Sequence, residues 1–173
     1  VNVTAGQVIS SANLSNLTYV PVADANGTVT FTITASDGSL SSSSATITLN
    51  IAAVNDAPVL AGTSTITYTE NDVATVVNGS ITLSDVDSAT LASATVSITT
   101  NFVTGQDVLT FTNMPATMGN ITGSYNATTG VMSLSSSGNT ATVAQWQAAL
   151  RSIQYSNSSE NPSTSARTVS YTV

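Results

Sequence analysis

Four oxygen-bearing side chains near the middle of the chain have the types and spacing to bind a hard cation. Asp85 and Asp87 are separated by one residue and follow the alternating segment Ile81-Thr-Leu83. In extended backbone, residues i and i+2 face the same side, roughly 6.5–7 Å apart. Asn55 and Asp56 would add side-chain or carbonyl oxygens. Ca2+ takes about six to eight such oxygens, so these four residues predict a calcium site.

Most other site chemistries are excluded by the residues that the chain lacks. The 173 residues include no His, no Cys and no Lys. Ser-His-Asp and Cys-His nucleophiles, thiolate metal sites and Schiff bases are therefore ruled out. Two Arg against nine acids, with a net charge of −7, cannot form a phosphate-binding surface, so we expect no nucleic-acid partner. No apolar run reaches the roughly 18 residues of a membrane span.

The rest of the sequence is dominated by short segments that alternate apolar and polar residues. Thr28–Thr34 and Thr46–Ile51 are examples, and turn signals such as Asp37-Gly38, Asn78-Gly79 and Asn126–Gly130 lie between the segments. The other alternating segments include Ile66–Tyr68, Ile81–Leu83, Ala94–Ile98, Val108–Phe111, Val131–Leu134 and Thr168–Val173. The pattern predicts an all-β fold of antiparallel β-sandwiches.

One segment has helical spacing instead. Residues 142–153 place apolar residues at positions 143, 146, 149, 150 and 153, and Thr142 with Gln145 forms a capping-box pattern. We expect a short helix that buries Trp146. Stacking of this tryptophan on a sugar is the alternative.

The segment Val54-Asn-Asp-Ala-Pro58 indicates a joint between two domains. Pro58 fixes its own φ and favours an extended Ala57, which makes the joint short and stiff. Thr28–Ile33 is similar to Thr168–Val173, at an offset of 140 residues, which indicates a tandem repeat. The prediction is therefore residues 1–57, the C-terminal part of one sandwich, followed by residues 58–173, a second and nearly complete sandwich.

The joint and the acids resemble those of cadherin and bacterial cadherin-like repeats. VNDAP is similar to the linker of that family, although Ala53 stands where the family has a first Asp. Asp85-Val-Asp87 resembles the family's Asp-x-Asp motif. The resemblance implies that Asp37 serves the joint preceding its repeat and Glu70 the joint following its repeat.

Two further acids, Asp72 and Asp107, are weaker metal-ligand candidates, and we interpret Glu70-Asn-Asp72 and Gln106-Asp107 first as solvated loop ends. The segments VNDAPVL, Asn13–Pro21 and Ala149–Tyr155 also resemble the long repetitive, type I-secreted adhesins of Gram-negative bacteria. This resemblance implies an extracellular, cell-surface stalk stiffened by Ca2+, with neighbouring repeats as partners and no catalytic activity. Homophilic contacts and a carbohydrate or host-surface ligand are further partners that the resemblance allows.

Two other functions remain open from the sequence. Open sheet edges would allow adjacent subunits to complete each other in a filament through donated strands. Alternatively, the threonines at 28, 30, 32 and 34 with those at 63, 65, 67 and 69 could form a flat hydroxyl array that binds ice or polysaccharide. An enzyme is not expected, because no acid lies in an apolar, aromatic-lined sequence context that would raise its pKa.

Overall fold

The computed structural model describes residues 3–173 and divides into two compact units. The first ends at Val54 and the second comprises Asn55–Val173. The strands are β1 (Gly27–Ile33), β2 (Ala45–Ile51), β3 (Val59–Ala61), β4 (Thr75–Val76), β5 (Thr82–Ser84), β6 (Ser93–Thr100), β7 (Asp107–Thr110), β8 (Ile121–Asn126), β9 (Val131–Ser136), β10 (Gln154–Asn157) and β11 (Thr168–Thr172). The α-helices are α1 (Pro115–Met118) and α2 (Val143–Arg151), and short 3-10 helices span Ser11–Asn16 and Ser137–Asn139.

The first unit has one antiparallel pair of strands, β1 and β2. Gly27 lies opposite Ile51 and Ile33 opposite Ala45. Alternate apolar residues share one face, yet Phe31 remains 37% exposed and Ile47 45% exposed. None of residues 3–54 is buried. A two-stranded sheet without a core is marginally stable by itself.

The second unit is an all-β, Ig-like sandwich. One sheet has the strand order β11-β6-β9-β8, a second has β4-β10-β7, and β3 pairs with β5. All the strand pairs are antiparallel. The hairpin between β8 and β9 turns at Gly130, whose positive φ of 72° suits glycine. This architecture confirms the all-β class that alternation predicts.

The core of the second unit lies between these sheets and under helix α2. It includes Val96 and Leu134 from the larger sheet, Leu109 from the smaller one, and Trp146 and Leu150 from the helix. The capping box is present, because Gln145 N donates to Thr142 Oγ1 and Thr142 N donates to Gln145 Oε1. The predicted helix is thereby confirmed.

Trp146 is fully buried, and its Nε1 donates to the carbonyl of Leu91 at 2.9 Å. The alternative prediction, that this tryptophan stacks on a sugar, is therefore wrong.

The segment 63–69 departs from the predicted pattern. It carries no strand, although Ile66-Thr-Tyr68 alternates. No backbone N–H or carbonyl of residues 63–67 has a hydrogen-bond partner within the described part of the chain. The flat threonine array predicted from positions 63–69 is therefore wrong, since that row needs a paired strand. Threonines on β1 instead lie opposite threonines on β2, as Thr30 does opposite Thr48.

Within residues 3–173, no helix is long and apolar enough to cross a membrane.

Candidate metal site at the Asp85–Asp87 turn

Asp85 begins a tight turn that follows strand β5. Its Oδ1 accepts hydrogen bonds from the backbone N–H of Ser88 at 2.8 Å and of Asp87 at 3.2 Å. The bond from Ser88 is the main cause of a lowered pKa of Asp85, and burial opposes it. The carboxylate therefore stabilises the turn through one oxygen.

The turn also contacts the start of the second unit. Asp87 Oδ2 accepts a hydrogen bond of 3.0 Å from the backbone N–H of Asp56. Asn55 uses its side-chain Nδ2 locally, on the carbonyl of Asp56 at 2.9 Å. The structure thus brings Asp56 to the Asp85–Asp87 turn, as the spacing predicted, through a direct hydrogen bond.

The carboxylate oxygens of this turn that do not accept a backbone hydrogen bond suit a weak cation site better than a site in which the protein supplies every ligand. Asp85 Oδ2 is shielded from solvent and has no hydrogen-bond partner among residues 3–173. Asp87 Oδ1 has only a long contact of 3.5 Å with the Ser88 hydroxyl. Within the same residues, no three acidic side chains converge. Ca2+ could take these two oxygens, but carbonyls and water would have to complete its six to eight ligands.

Two of the other candidate acids, Asp37 and Asp72, accept backbone hydrogen bonds within turns of their own. Asp37 Oδ1 accepts the backbone N–H groups of Leu40 and Ser39, both at 2.8 Å, and these two bonds lower its pKa. Asp72 Oδ2 accepts from the N–H of Thr69 at 2.9 Å. Glu70 is exposed. The first two carboxylates thus stabilise their own turns.

The burial of Asp107 differs from the prediction made for it. Asp107 is 1% exposed, so its interpretation as a solvated loop end is wrong. Its Oδ1 accepts from the Tyr155 hydroxyl and Asn157 Nδ2, both at 2.6 Å. Its Oδ2 accepts from the N–H of Val103 at 2.7 Å, and Arg167 Nε lies 3.3 Å from the carboxylate. Four donors already surround this carboxylate, which leaves little room for a metal ion.

Asp107 lies beside the ring of Tyr155, but its surroundings do not raise its pKa. Burial acts to raise its pKa, but the hydrogen bonds from Tyr155, Val103, Asn157 and Arg167 together outweigh burial and lower it. Burial and the bond to Asp107 in turn raise the pKa of Tyr155 to about 12. The carboxylate stays ionised and fully bonded, which is a structural arrangement and does not suit a general acid.

Sequence reasoning missed this buried network because its members are distant in the chain. Asp107 and Arg167 are 60 positions apart. The sequence contained one relevant signal, because Arg151 and Arg167 are its two cationic side chains and nine acids were available to pair with them. Arg167 also donates to the carbonyls of Ser163 and Ser165, and Arg151 Nε donates to the carbonyl of Ile81 at 2.7 Å. Both cations therefore bond to the protein itself.

Comparison with known proteins agrees with the Ig-like architecture. Residues 1–50 match the family model described as "Bacterial Ig domain". Halomucin from Haloquadratum walsbyi (strain DSM 16790 / HBSQ001) is 30% identical over 146 residues, which cover 84% of this chain and 2% of halomucin. The chain therefore spans a very small part of that relative. No solved structure matches the chain.

Together, the fold and these similarities define the class of protein. The strand pairs are antiparallel, the second unit has an Ig-like core, and the first 50 residues match a bacterial Ig domain. The chain thus has an all-β, Ig-like fold, and its first 50 residues are similar to a bacterial Ig domain. A fold of this kind hosts many functions, so the fold by itself does not assign one.

Proposed function

We propose that this chain is a repeat segment of a long extracellular stalk, in which Ca2+ bound at the Asp85–Asp87 turn stiffens the joint between repeats. The stalk would extend a surface protein from the cell, with neighbouring repeats as its main partners. The match to 2% of halomucin supports a place in a very long chain. The Ig-like fold supports a structural role.

The hydrogen bond from Asp56 N to Asp87 Oδ2 carries the calcium part of this proposal. It joins Asp56, the second residue of the second unit, to a turn that has two carboxylates. A cation there would offset the mutual repulsion of Asp85 and Asp87 and hold the turn against residues 55–58. Asp85 Oδ2, shielded and unpaired within residues 3–173, is the oxygen that such an ion would satisfy.

The affinity of the Asp85–Asp87 turn for Ca2+ should be low, because the turn supplies only two carboxylates. Extracellular calcium modules bind with a Kd on the order of 10⁻⁴–10⁻³ M. A tenfold excess of Ca2+ over Kd would add about 1.4 kcal/mol to the stability of the folded state. For a unit of this size, that corresponds to a rise of about 5 °C in Tm.

Thermal unfolding tests the proposal, with the fluorescence of Trp146 as the signal from the second unit. We expect Ca2+ at millimolar concentration to raise Tm in the wild type and to leave the double variant Asp85→Asn/Asp87→Asn unchanged. Mg2+ should act weakly, because it demands tighter geometry and dehydrates reluctantly. The matched control is Glu70→Gln/Asp72→Asn, which removes the same charge elsewhere in the same unit. Equal calcium responses in wild type and the Asp85/Asp87 variant would refute the site.

A further inference from the structure

Strand β5, which leads into the Asp85–Asp87 turn, is held by side chains of helix α2. Among residues 3–173, β5 pairs with one strand, β3. The backbone N–H of Leu83 donates instead to Gln147 Oε1 at 3.0 Å. The carbonyl of Ile81, just before β5, accepts from Arg151 Nε at 2.7 Å. Two side chains of the helix thus bond to β5 where a second neighbouring strand would.

The spacing of the two side chains matches the spacing of the two backbone groups. Gln147 and Arg151 are four positions apart, which is about 6 Å along a helix. Ile81 and Leu83 are two positions apart, which is roughly 6.5 Å in extended backbone, and their N–H and carbonyl groups point to the same edge of the strand. Both bonds can therefore form together and hold the strand in one position along the helix.

The chain that leaves the turn is held by the same helix. The N–H of Val143, the first residue of α2, donates to the Ala89 carbonyl at 3.1 Å. The Leu91 N–H donates to the carbonyl of Ala141, just before the helix, also at 3.1 Å. The indole of Trp146 donates to the Leu91 carbonyl at 2.9 Å. The turn thus lies between two segments that are both bonded to one end of α2.

Helix α2 is a firm support for these segments because its inner face belongs to the core. Trp146, Ala149 and Leu150 are fully buried on that face. Gln147 lies beside them and is partly buried. Its side-chain oxygen is the contact between the helix and the backbone two positions before Asp85.

The position of β5 decides how Asp85 presents its second oxygen. Asp85 Oδ1 accepts the amides of Asp87 and Ser88, whereas Oδ2 is shielded and has no hydrogen-bond partner among residues 3–173. Loss of the bond at Leu83 would free the strand that enters the turn. Groups that orient a ligand from behind commonly change metal affinity by about 10–100-fold when they are removed.

We propose that Gln147 is a positioning residue for the Asp85–Asp87 turn. Its amide oxygen fixes the backbone of Leu83, and through that backbone it holds Asp85 in the orientation from which Oδ2 can meet a cation shared with Asp87. Gln147 itself is not a ligand. The cation in this inference rests on the proposed function, whereas the hold of Gln147 on the turn does not.

Amide hydrogen exchange measured by NMR in EDTA tests the hold on the turn without calcium. Gln147→Met removes the acceptor oxygen from a side chain of similar length, and Gln147→Glu keeps an acceptor. In the methionine variant, the amides of Asp87 and Ser88 should exchange about tenfold faster than in the wild type. The glutamate variant should keep the wild-type rates.

The matched control is Arg151→Met, which removes the other bond between α2 and the same strand. It should lower the Tm and leave the exchange of Asp87 and Ser88 at the wild-type rate, because Ile81 lies farther from the turn. Calorimetric titration with Ca2+ gives the second comparison. The Kd should rise at least about tenfold in Gln147→Met and stay unchanged in Arg151→Met.

Two results would overturn the proposal. The first is exchange of Asp87 and Ser88 in Gln147→Met that equals the wild-type rate or the rate in Arg151→Met. The second is an unchanged Kd in Gln147→Met when the wild type binds Ca2+. A wild type that binds no Ca2+ would refute the proposed function instead, and the exchange rates would still decide whether Gln147 holds the turn.

Discussion

Replacing Arg167 by methionine should remove the one counter-charge that the buried Asp107 has among residues 3–173. Arg167 Nε lies 3.3 Å from the carboxylate, and Asp107 is 1% exposed. At an effective dielectric constant of about 20, this attraction amounts to roughly 5 kcal/mol. The three remaining donors, from Tyr155, Asn157 and Val103, reduce the loss. Removing one partner of a buried ion pair typically costs about 3–5 kcal/mol, so we expect about 3 kcal/mol for Arg167→Met.

The second arginine supplies a matched control in the same unit. Arg151→Met removes the same charge and a side chain of the same length. In the described structure Arg151 has one hydrogen bond, to the carbonyl of Ile81, and no acidic partner. Loss of that bond should cost about 1 kcal/mol. At roughly 4 °C per kcal/mol for a domain of this size, Tm should fall by about 12 °C for Arg167→Met and about 4 °C for Arg151→Met.

Trp146 makes the measurement direct, because the chain's single tryptophan is buried in the core of the second unit. Urea and thermal unfolding followed by its fluorescence report both variants on one scale. The excess loss in Arg167→Met should shrink as pH falls toward 4, because Asp107 without its counter-charge protonates at a higher pH than in the wild type, and the neutral acid needs no counter-charge. Equal losses for the two variants, or an excess loss that does not depend on pH, would refute the assignment of this ion pair.

Three further predictions concern the same unit. Because the folded pKa of Asp107 is lowered, the contribution of this carboxylate to stability is complete above the unfolded pKa near 4 and is lost as pH falls through the folded pKa. A titration of the free energy of unfolding with acid should show this loss in the wild type and a smaller loss in Asp107→Asn. The exposed control Glu160→Gln should lose as much stability as the wild type. Thr142→Ala should cost about 1 kcal/mol in urea unfolding, because it removes the hydroxyl that caps helix α2, and an unchanged midpoint would contradict that role. Tyr171→Phe should be neutral or stabilise by up to about 1 kcal/mol, because it removes a shielded hydroxyl that has no partner within residues 3–173; a clear loss of stability would show that the hydroxyl is bonded.

Local sequence signals predicted the local structure well. Thr142 and Gln145 marked the start of helix α2, and alternation marked β1, β2, β6, β9 and β11. These features depend on residues a few positions apart, where propensity and capping decide the outcome. The same signals placed a strand at Ile66–Tyr68, where the structure has none. A strand requires a partner, and alternation alone does not reveal whether one is present.

The candidate site was predictable in part. The linker pattern indicated Asp56 as a neighbour of Asp85 and Asp87, and a hydrogen bond joins Asp56 to Asp87. The spacing of Asp85 and Asp87 was interpreted as extended backbone, whereas the structure has a tight turn there. The sequence did not show that Asp85 Oδ1 and Asp87 Oδ2 already bind backbone amides, which leaves fewer oxygens for an ion. Local hydrogen bonds of this kind compete with metal binding for the same oxygens.

The buried Asp107 network was beyond sequence reasoning for a different reason. Asp107 begins strand β7, Tyr155 and Asn157 are on β10, and Arg167 precedes β11. Only the pairing of β10 with β7, which sets Asn157 opposite Asp107, brings these side chains together. Such contacts follow from sheet register, and no short motif encodes them.

The most direct test of the calcium-stiffened stalk is small-angle scattering of the whole chain across a calcium titration. We predict that the maximum dimension of the particle rises with Ca2+ at millimolar concentration in the wild type and in the Glu70→Gln/Asp72→Asn control. The Asp85→Asn/Asp87→Asn variant should show no change. A wild-type scattering profile that is the same with and without calcium would refute the claim that Ca2+ stiffens the joint. Asp85 and Asp87 would then be turn residues, and Pro58 would be the stiffening element of the joint.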